Sequence, residues 1–372
     1  MKQKIKFINT DKTRFFITLK ERVDQYFIDN KISPHANFAM VFKTIVMLSL
    51  YFVPYILIMT QHFSPLLMWL SSMVMGLGLA GIGMGVMHDS NHGAYSPHPY
   101  LNRIISLSLT LVGGDNKNWK MQHNILHHTY TNIYGHDRDI DDKVVMRFAP
   151  QGKYWKVQRF QVVYVFFFYS IMSLYWTTAK DFIQYIEFIK QGHNRESTAG
   201  KIRTFVTIVF WKLIYYTYIF VLPMLLLHLS FGQVFIGFIS LHLVAGIILS
   251  VIFQLAHVVE NTIFPMPDEK GNIQNEWAIH QMQTTADFCR HNWFITYFVG
   301  GLNFQAIHHL FPNICHIHYP KLAPIVEQTA KEFGIPYLYN QSFWGALASH
   351  LRIISSLGKK DLTFMKVANS MG

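Results

Sequence analysis

The 372-residue chain is 51% hydrophobic and only 14% charged, with a formal net charge of +11. An ordinary soluble domain carries nearer a quarter charged residues, so this composition points to a membrane protein. The basic residues lie outside the long apolar runs and no nucleic-acid module accompanies them, so nucleic acid is excluded as the partner that explains the charge. Cys289 and Cys315 are the only cysteines and lack metal-finger spacing, which excludes a disulfide framework and fits a reducing compartment.

In chain order, residues 1–38 mix charge with aromatics, and no apolar stretch of the kind found in a cleavable signal peptide precedes Asp24. Thr10 or Asp11 is expected to start a helix whose apolar face holds Phe15, Phe16, Leu19, Val23 and Phe27, lying at the membrane interface. Apolar runs follow at about 41–60 and 66–87, and again at about 209–229 and 233–256. Each meets the roughly 20 residues that a helix needs to cross about 30 Å of hydrocarbon. The links within each pair contain no Lys or Arg. The hairpin tips are therefore expected outside, and the N-terminus, residues 88–203 and the tail in the cytoplasm. Residues 104–112 are apolar but too short to span. Residues 160–176 are long enough, yet a span there would separate the histidine clusters described next, so both segments are expected to lie along the interface. Lys212, near a span end, is expected to snorkel to water. His242, in mid-span, is expected to be satisfied by an interhelical hydrogen bond. The closely spaced Gly76, Gly78, Gly81, Gly83 and Gly85 are expected to let helices pack closely.

Twenty histidines are the anomaly, and several are clustered. HDSNH, directly after the second run, carries His88 and His92 one helical turn apart, a spacing that lets two imidazoles meet one metal. HNILHH repeats the spacing in His123 and His127, with His128 pointing about 100° away on a helix. QAIHH supplies His308 and His309, with Gln305 one turn before. His257 ends the fourth run at the depth where His88 ends the second. Imidazoles suit iron, zinc, copper or nickel, and of these iron does oxygen chemistry from histidine-rich non-haem sites. Zinc has no redox chemistry. Seven clustered histidines exceed one metal's needs and suit two. The carboxylates Asp137, Asp139, Asp141 and Asp142 of the following acidic loop, and Asp89 beside His88, are candidates to orient ligand imidazoles. His280, His291, His316 and His318 are expected outside the metal site, the last two on the surface, and His62 and His228 on the opposite membrane face.

These clusters resemble the three histidine boxes of the membrane fatty acid desaturase family, HxxxH, HxxxHH and HxxHH or QxxHH, in the contexts WKMQHNILHHTYTN, GHDRDID and GGLNFQAIHHLFP. The resemblance runs from about Phe38 to Tyr337. It implies an all-α membrane protein with four transmembrane helices, interfacial helices and a cytoplasmic helical cap. Residues 1–38 would form a cytoplasmic amphipathic segment, 39–340 the desaturase domain and 341–372 a cytoplasmic tail. It further implies two irons (Fe) held by His88, His92, His123, His127, His128, His257, His308 and His309, with Gln305, Asp89 and Asp139 supporting them. Dioxygen and two electrons would then convert a fatty-acyl substrate, carried on CoA, acyl-carrier protein or membrane lipid, to its cis-unsaturated product and water. Gln305 in place of the first histidine of box three resembles the front-end desaturases. No His-Pro-Gly-Gly haem motif is present, so electrons are expected from an external donor such as a ferredoxin or cytochrome. A bacterial inner membrane is the expected location. The alternatives are a di-iron lipid or carotenoid hydroxylase and a histidine-rich metal transporter. The transporter would need a polar path through spans that offer mainly His242 and Lys212.

Overall fold

The computed structural model describes residues 5–9, 12–60, 63–141 and 143–360. The described chain is mostly helical and divides into two compact units, residues 38–120 with 166–250, and residues from 5 to 37 with 121–165 and 251–360. Five helices are long and apolar enough to cross a membrane: Phe38–Met59, Pro65–Asn91, Lys156–Lys190, Thr198–Leu226 and Phe231–His257. The four runs expected to span lie within or overlap four of these. The third begins at Thr198, well before the apolar run, because Ser197 accepts the Gly200 N–H at 3.2 Å and starts the helix there. The aromatic stretch 160–176 sits inside the 35-residue helix Lys156–Lys190, which is longer than its hydropathy alone suggested. Residues 104–111 belong to the 13-residue helix Pro99–Leu111, which Val112 caps and which is too short to cross.

In the first unit, Ser64 caps the second long helix and Pro65 occupies its first position. The glycine run allows close approach: a Cβ on Gly78 would stand 2.5 Å from Tyr51 N. Two buried polar side chains in the spans are paired. His242 Nδ1 lies 2.7 Å from Ser173 Oγ and its Nε2 2.7 Å from Tyr215 OH, the interhelical bonding expected of it. Lys212 corrects the expectation of snorkelling. It is buried, 2.7 Å from Asp181 Oδ2 and 2.6 Å from Gly113 O, because a carboxylate and a carbonyl are within reach inside the helix bundle.

In the second unit, the N-terminal helix is Phe15–Asn30, and Thr10 and Asp11, the expected start, lie outside the described residues. Its apolar face is not turned to lipid. Phe15, Leu19, Val23 and Phe27 are buried in a core with Met282, Ile307, Leu310, Leu322 and Val326. An apolar stripe looks the same in sequence whether protein or membrane covers it. Burial of each such side chain stabilises by about 1.5–3 kcal/mol. Two short parallel strand pairs tie distant segments together: β1 (Lys6–Phe7) with β2 (Asn272–Ile273), and β3 (Asp287–Phe288) with β4 (Tyr339–Asn340). Residues assigned to the tail include the helix Phe343–Leu357, where His350 Nδ1 donates to Val258 O at 2.6 Å and Ser349 Oγ accepts the Glu260 N–H at 2.9 Å. His316 and His318 are buried rather than on the surface. The turn after box three folds inward, and His318 packs on Phe27 with its Nε2 3.2 Å from His35 O.

Candidate metal centre

The first histidine pair belongs to the first unit. The long helix ending at Asn91 loosens into a π-turn at Ile82–Val86 just before HDSNH, a distortion common at functional sites. His88 is buried and His92 partly so, with ring centroids 4.8 Å apart, and each ring stands 5.6 Å from Trp119. Asn91, between them, donates to Asn116 Oδ1 at 3.0 Å and so ties the pair to the next helical segment. Asp89 Oδ1 is 3.9 Å from His88 Nδ1, beyond hydrogen-bond range.

The other six candidate histidines gather in the second unit. HNILHH does not continue as an α-helix: Met121–His127 is a π-turn, followed by one α-turn at His128–Tyr130. His127 and His128 still diverge, into different triads, but the pitch changes the place of His128 relative to His123. A π-turn aligns residues about five apart, so His123 Nε2 and His128 Nε2 come within 3.3 Å. Around them, ring centroids lie 4.6 Å apart for His127 and His257, 4.9 Å for His127 and His309, 4.6 Å for His128 and His308, and 4.3 Å for His128 and His309. Ring nitrogens of His127, His257 and His309 lie within 4.8 Å of one another, and so do those of His128, His308 and His309. The two triads share His309.

Carboxylates and amides orient these rings. Buried Asp137 accepts from His127 Nδ1 at 3.0 Å and from the Asn132 N–H at 3.0 Å, while its other oxygen takes the Asp139 N–H at 3.0 Å. Asp139 is farther, 3.8 Å from His127 Nδ1, and its other oxygen accepts from Gln122. Burial works to lower the proton affinity of His127, but Asp137 and then Asp139 overcome it and hold the ring above the ordinary histidine value. Gln281 Oε1 accepts from His309 Nδ1 at 2.8 Å and its Nε2 donates to His128 O at 3.2 Å. Tyr319 OH is 3.3 Å from His308 Nδ1, and the Gln305 amide is 3.0 Å from His257 Nε2. Asn132 donates to His257 O at 2.9 Å. His280 is buried against Phe7, and burial pushes its pKa down to about 4. His291 is exposed, and Asp142 and His62 lie outside the described residues.

Gln281, Asn132 and Tyr319 escaped the sequence reading. Asn132 at least stood inside the quoted TYTN. Gln281 and Tyr319 carried no signal, because a single glutamine or tyrosine is ordinary anywhere.

The donor set fits a metal. His127 holds its Nδ1 proton on Asp137, which leaves Nε2 as a lone pair, and this Nε2 is buried with no hydrogen-bond partner among the described residues. Leaving a buried imidazole nitrogen unsatisfied is costly unless something binds it. A carboxylate behind an imidazole is also the usual support of a metal-ligating histidine.

Apolar spanning-length helices with two buried histidine triads, one backed by a carboxylate, mark a membrane protein whose imidazoles could hold metal. The sequence comparisons make the assignment particular: residues 63–341 match the Fatty acid desaturase family, and the chain belongs to it. It is similar to the sn-1 linoleoyl-lipid 6-desaturase of Synechocystis sp., at 37% identity over 96% of this chain and 98% of that protein. The enzyme of the same description from Arthrospira platensis is 36% identical over 89% of each chain. The acyl-lipid (8-3)-desaturase of Physcomitrium patens is 35% identical over 96% of this chain and 74% of its own. The protein is a fatty acid desaturase, an oxidoreductase.

Proposed function

We propose that the protein desaturates acyl chains held on membrane glycerolipid, inserting a cis double bond between an existing one and the carboxyl end. Its metals are two irons held by His88, His92, His123, His127, His128, His257, His308 and His309. The observation that carries the metal reading is the pair of buried histidine triads meeting at His309. The lipid carrier and front-end position are supported by the relatives' descriptions as linoleoyl-lipid 6-desaturase and acyl-lipid (8-3)-desaturase, and by Gln305.

When bound, the irons supply the redox and dioxygen chemistry that removes hydrogens from unactivated carbons, which acid–base groups cannot do. The protein's part is orientation and exclusion. Asp137 sets the tautomer of His127, Gln281 that of His309, and Gln305 braces His257. The six rings of boxes two and three and His257 are largely sheltered from water, which limits loss of a reactive oxidant to side reactions. Electrons come from a separate donor such as a ferredoxin or cytochrome, drawn by the basic cytoplasmic face.

We place the protein in a bacterial inner membrane with the histidines on the cytoplasmic side, a sidedness supported by the hairpin links free of Lys and Arg. The four-crossing count is supported by parity. His128 and His309 touch, so an even number of crossings separates them. Three candidates lie between, and two of them cross. The 35-residue helix Lys156–Lys190, about 52 Å long and interrupted by a π-turn at Trp176–Lys180, is the one assigned to the interface.

Expression in a host with a suitable donor, followed by mass spectrometry of lipid acyl chains, tests the proposal. A new front-end double bond absent from His127→Ala and His308→Ala is expected. A hydroxylated product, or unchanged profiles in both variants, rejects it. Purified wild-type protein should hold about two irons per chain.

A further inference from the structure

The third histidine pair sits on a helix of six residues, Gln305–Leu310, all buried. A helix that short does not hold its own geometry. Phe304, at its N-cap position, makes no side-chain capping bond, so the orientation of His308 and His309 has to be imposed from elsewhere in the second unit.

One element bonded to the helix start is β3. Asp287 is fully buried, and its Oδ1 accepts the Ala306 N–H at 3.0 Å, inside the first turn of the helix. Its Oδ2 accepts from Tyr337 OH at 2.6 Å. The strand is itself pinned on both sides. The Asp287 N–H donates to Leu338 O at 2.9 Å, and the Cys289 N–H to Asn340 O at 2.9 Å. The Phe288 N–H donates to Asn303 O at 3.0 Å, two residues before the helix. Asn303 in turn donates to Thr296 Oγ1 at 2.9 Å. Asp287 thus joins two things that the chain separates: the β3–β4 pair and the helix that aims the histidines. Among the described residues its side chain hydrogen-bonds Ala306 and Tyr337 and no histidine of the cluster, so it acts on them through the helix.

We propose that Asp287, braced by Tyr337, is a positioning residue that sets the angle at which His308 and His309 are presented to the metals. The proposal rests on the metal reading given above. A carboxylate suits the task because a charge-assisted bond to a backbone N–H is stronger and more directional than one to a neutral acceptor. Tyr337 fixes the second oxygen through its hydroxyl.

The test uses the full chain, purified with its metals, as Asp287→Ala, Asp287→Asn and Tyr337→Phe. Three quantities are read: metal per chain, kcat and KM for the lipid substrate, and the thermal midpoint after chelation. Asp287→Ala is expected to lose about 10- to 100-fold in kcat or in metal affinity, the range seen when outer supports of metal ligands are removed. Its KM should be unchanged. Asp287→Asn should recover most of that loss, since its carbonyl oxygen still accepts the Ala306 N–H. Its chelated midpoint should match wild type. Wild-type metal content and kcat in Asp287→Ala overturn the proposal, as does an asparagine variant no better than alanine. If the alanine chain does not accumulate, Tyr337→Phe decides. A fall in kcat with an unchanged chelated midpoint supports the brace, and wild-type kcat overturns it. A wild-type chain that holds no metal would instead reject the metal reading itself, so the two failures are distinguishable.

Discussion

Asp137 is the sharpest place to perturb the centre. It is fully buried and accepts three hydrogen bonds of 3.0 Å, from His127 Nδ1, Asn132 N and Asp139 N. Alanine would leave three donors without their acceptor. At about 1–3 kcal/mol for each unsatisfied buried group, the total is on the order of 3–9 kcal/mol. Against a typical stability of about 5–15 kcal/mol, that is enough to stop the chain accumulating. Asp137→Asn is therefore the informative change. It keeps the shape and an acceptor for one of the two backbone donors, which lie on different oxygens, and it withdraws the negative charge from His127. Metal affinity or turnover should fall about 10- to 100-fold, equivalent to about 1.4–2.7 kcal/mol. The measurement is iron per chain at graded iron concentrations, with turnover on lipid substrate in parallel. Asp139→Asn is the control, because 3.8 Å to His127 is not a hydrogen bond, and its effect should be several-fold smaller. Wild-type iron binding in Asp137→Asn, or a larger effect from Asp139→Asn, would refute the assignment of the supporting carboxylate.

Chelation should lower the thermal midpoint of the wild-type protein, and iron should restore it, because a metal that binds only the folded chain stabilises it; a midpoint indifferent to iron would contradict this. Leu19→Ala should cost about 2–5 kcal/mol and leave membrane association unchanged, since Leu19 packs inside protein; release from membranes without loss of stability would show the opposite. Lys212→Met should destabilise by about 3–5 kcal/mol by stranding Asp181, and adding Asp181→Asn should recover much of it, as read by thermal unfolding in detergent. Burial lowers His350 to about 4 from 6.5, so its contribution is complete above pH 6.5 and is lost as pH falls toward 4, up to about 3 kcal/mol. His350→Gln should flatten the dependence of stability on pH across that window, and an unchanged slope would exclude His350 as its source.

Hydropathy located the spanning-length helices because a bilayer sets their length and their composition follows from it. It said little about what covers an apolar face. Phe15, Leu19, Val23 and Phe27 form the same stripe whether protein or lipid lies against them, and only the fold shows the protein core there. Lys212 misled for a related reason. A lysine near a span end has water within reach of its stem, and the carboxylate that captures it, Asp181, is far away in sequence. The tail helix Phe343–Leu357 was missed because its buried residues are matched to segments as distant as Val258 and Gln161.

The centre divides along a similar line. Histidines that share a metal must be many and close, so they cluster in sequence and announce themselves. The groups that orient them need only one oxygen or one N–H apiece, which any buried Asp, Gln or Asn can supply from any segment. Gln281 and Asp287 sit in the same stretch around His280, WAIHQMQTTADF, yet one bonds His309 and the other the helix that carries it. The π-turn at Met121–His127 is harder still to foresee. Its letters are those of an α-helix, and the change of pitch that brings His128 back beside His123 has no residue of its own to mark it. The clustered histidines were therefore written locally, while their aim comes from contacts that only the folded chain makes.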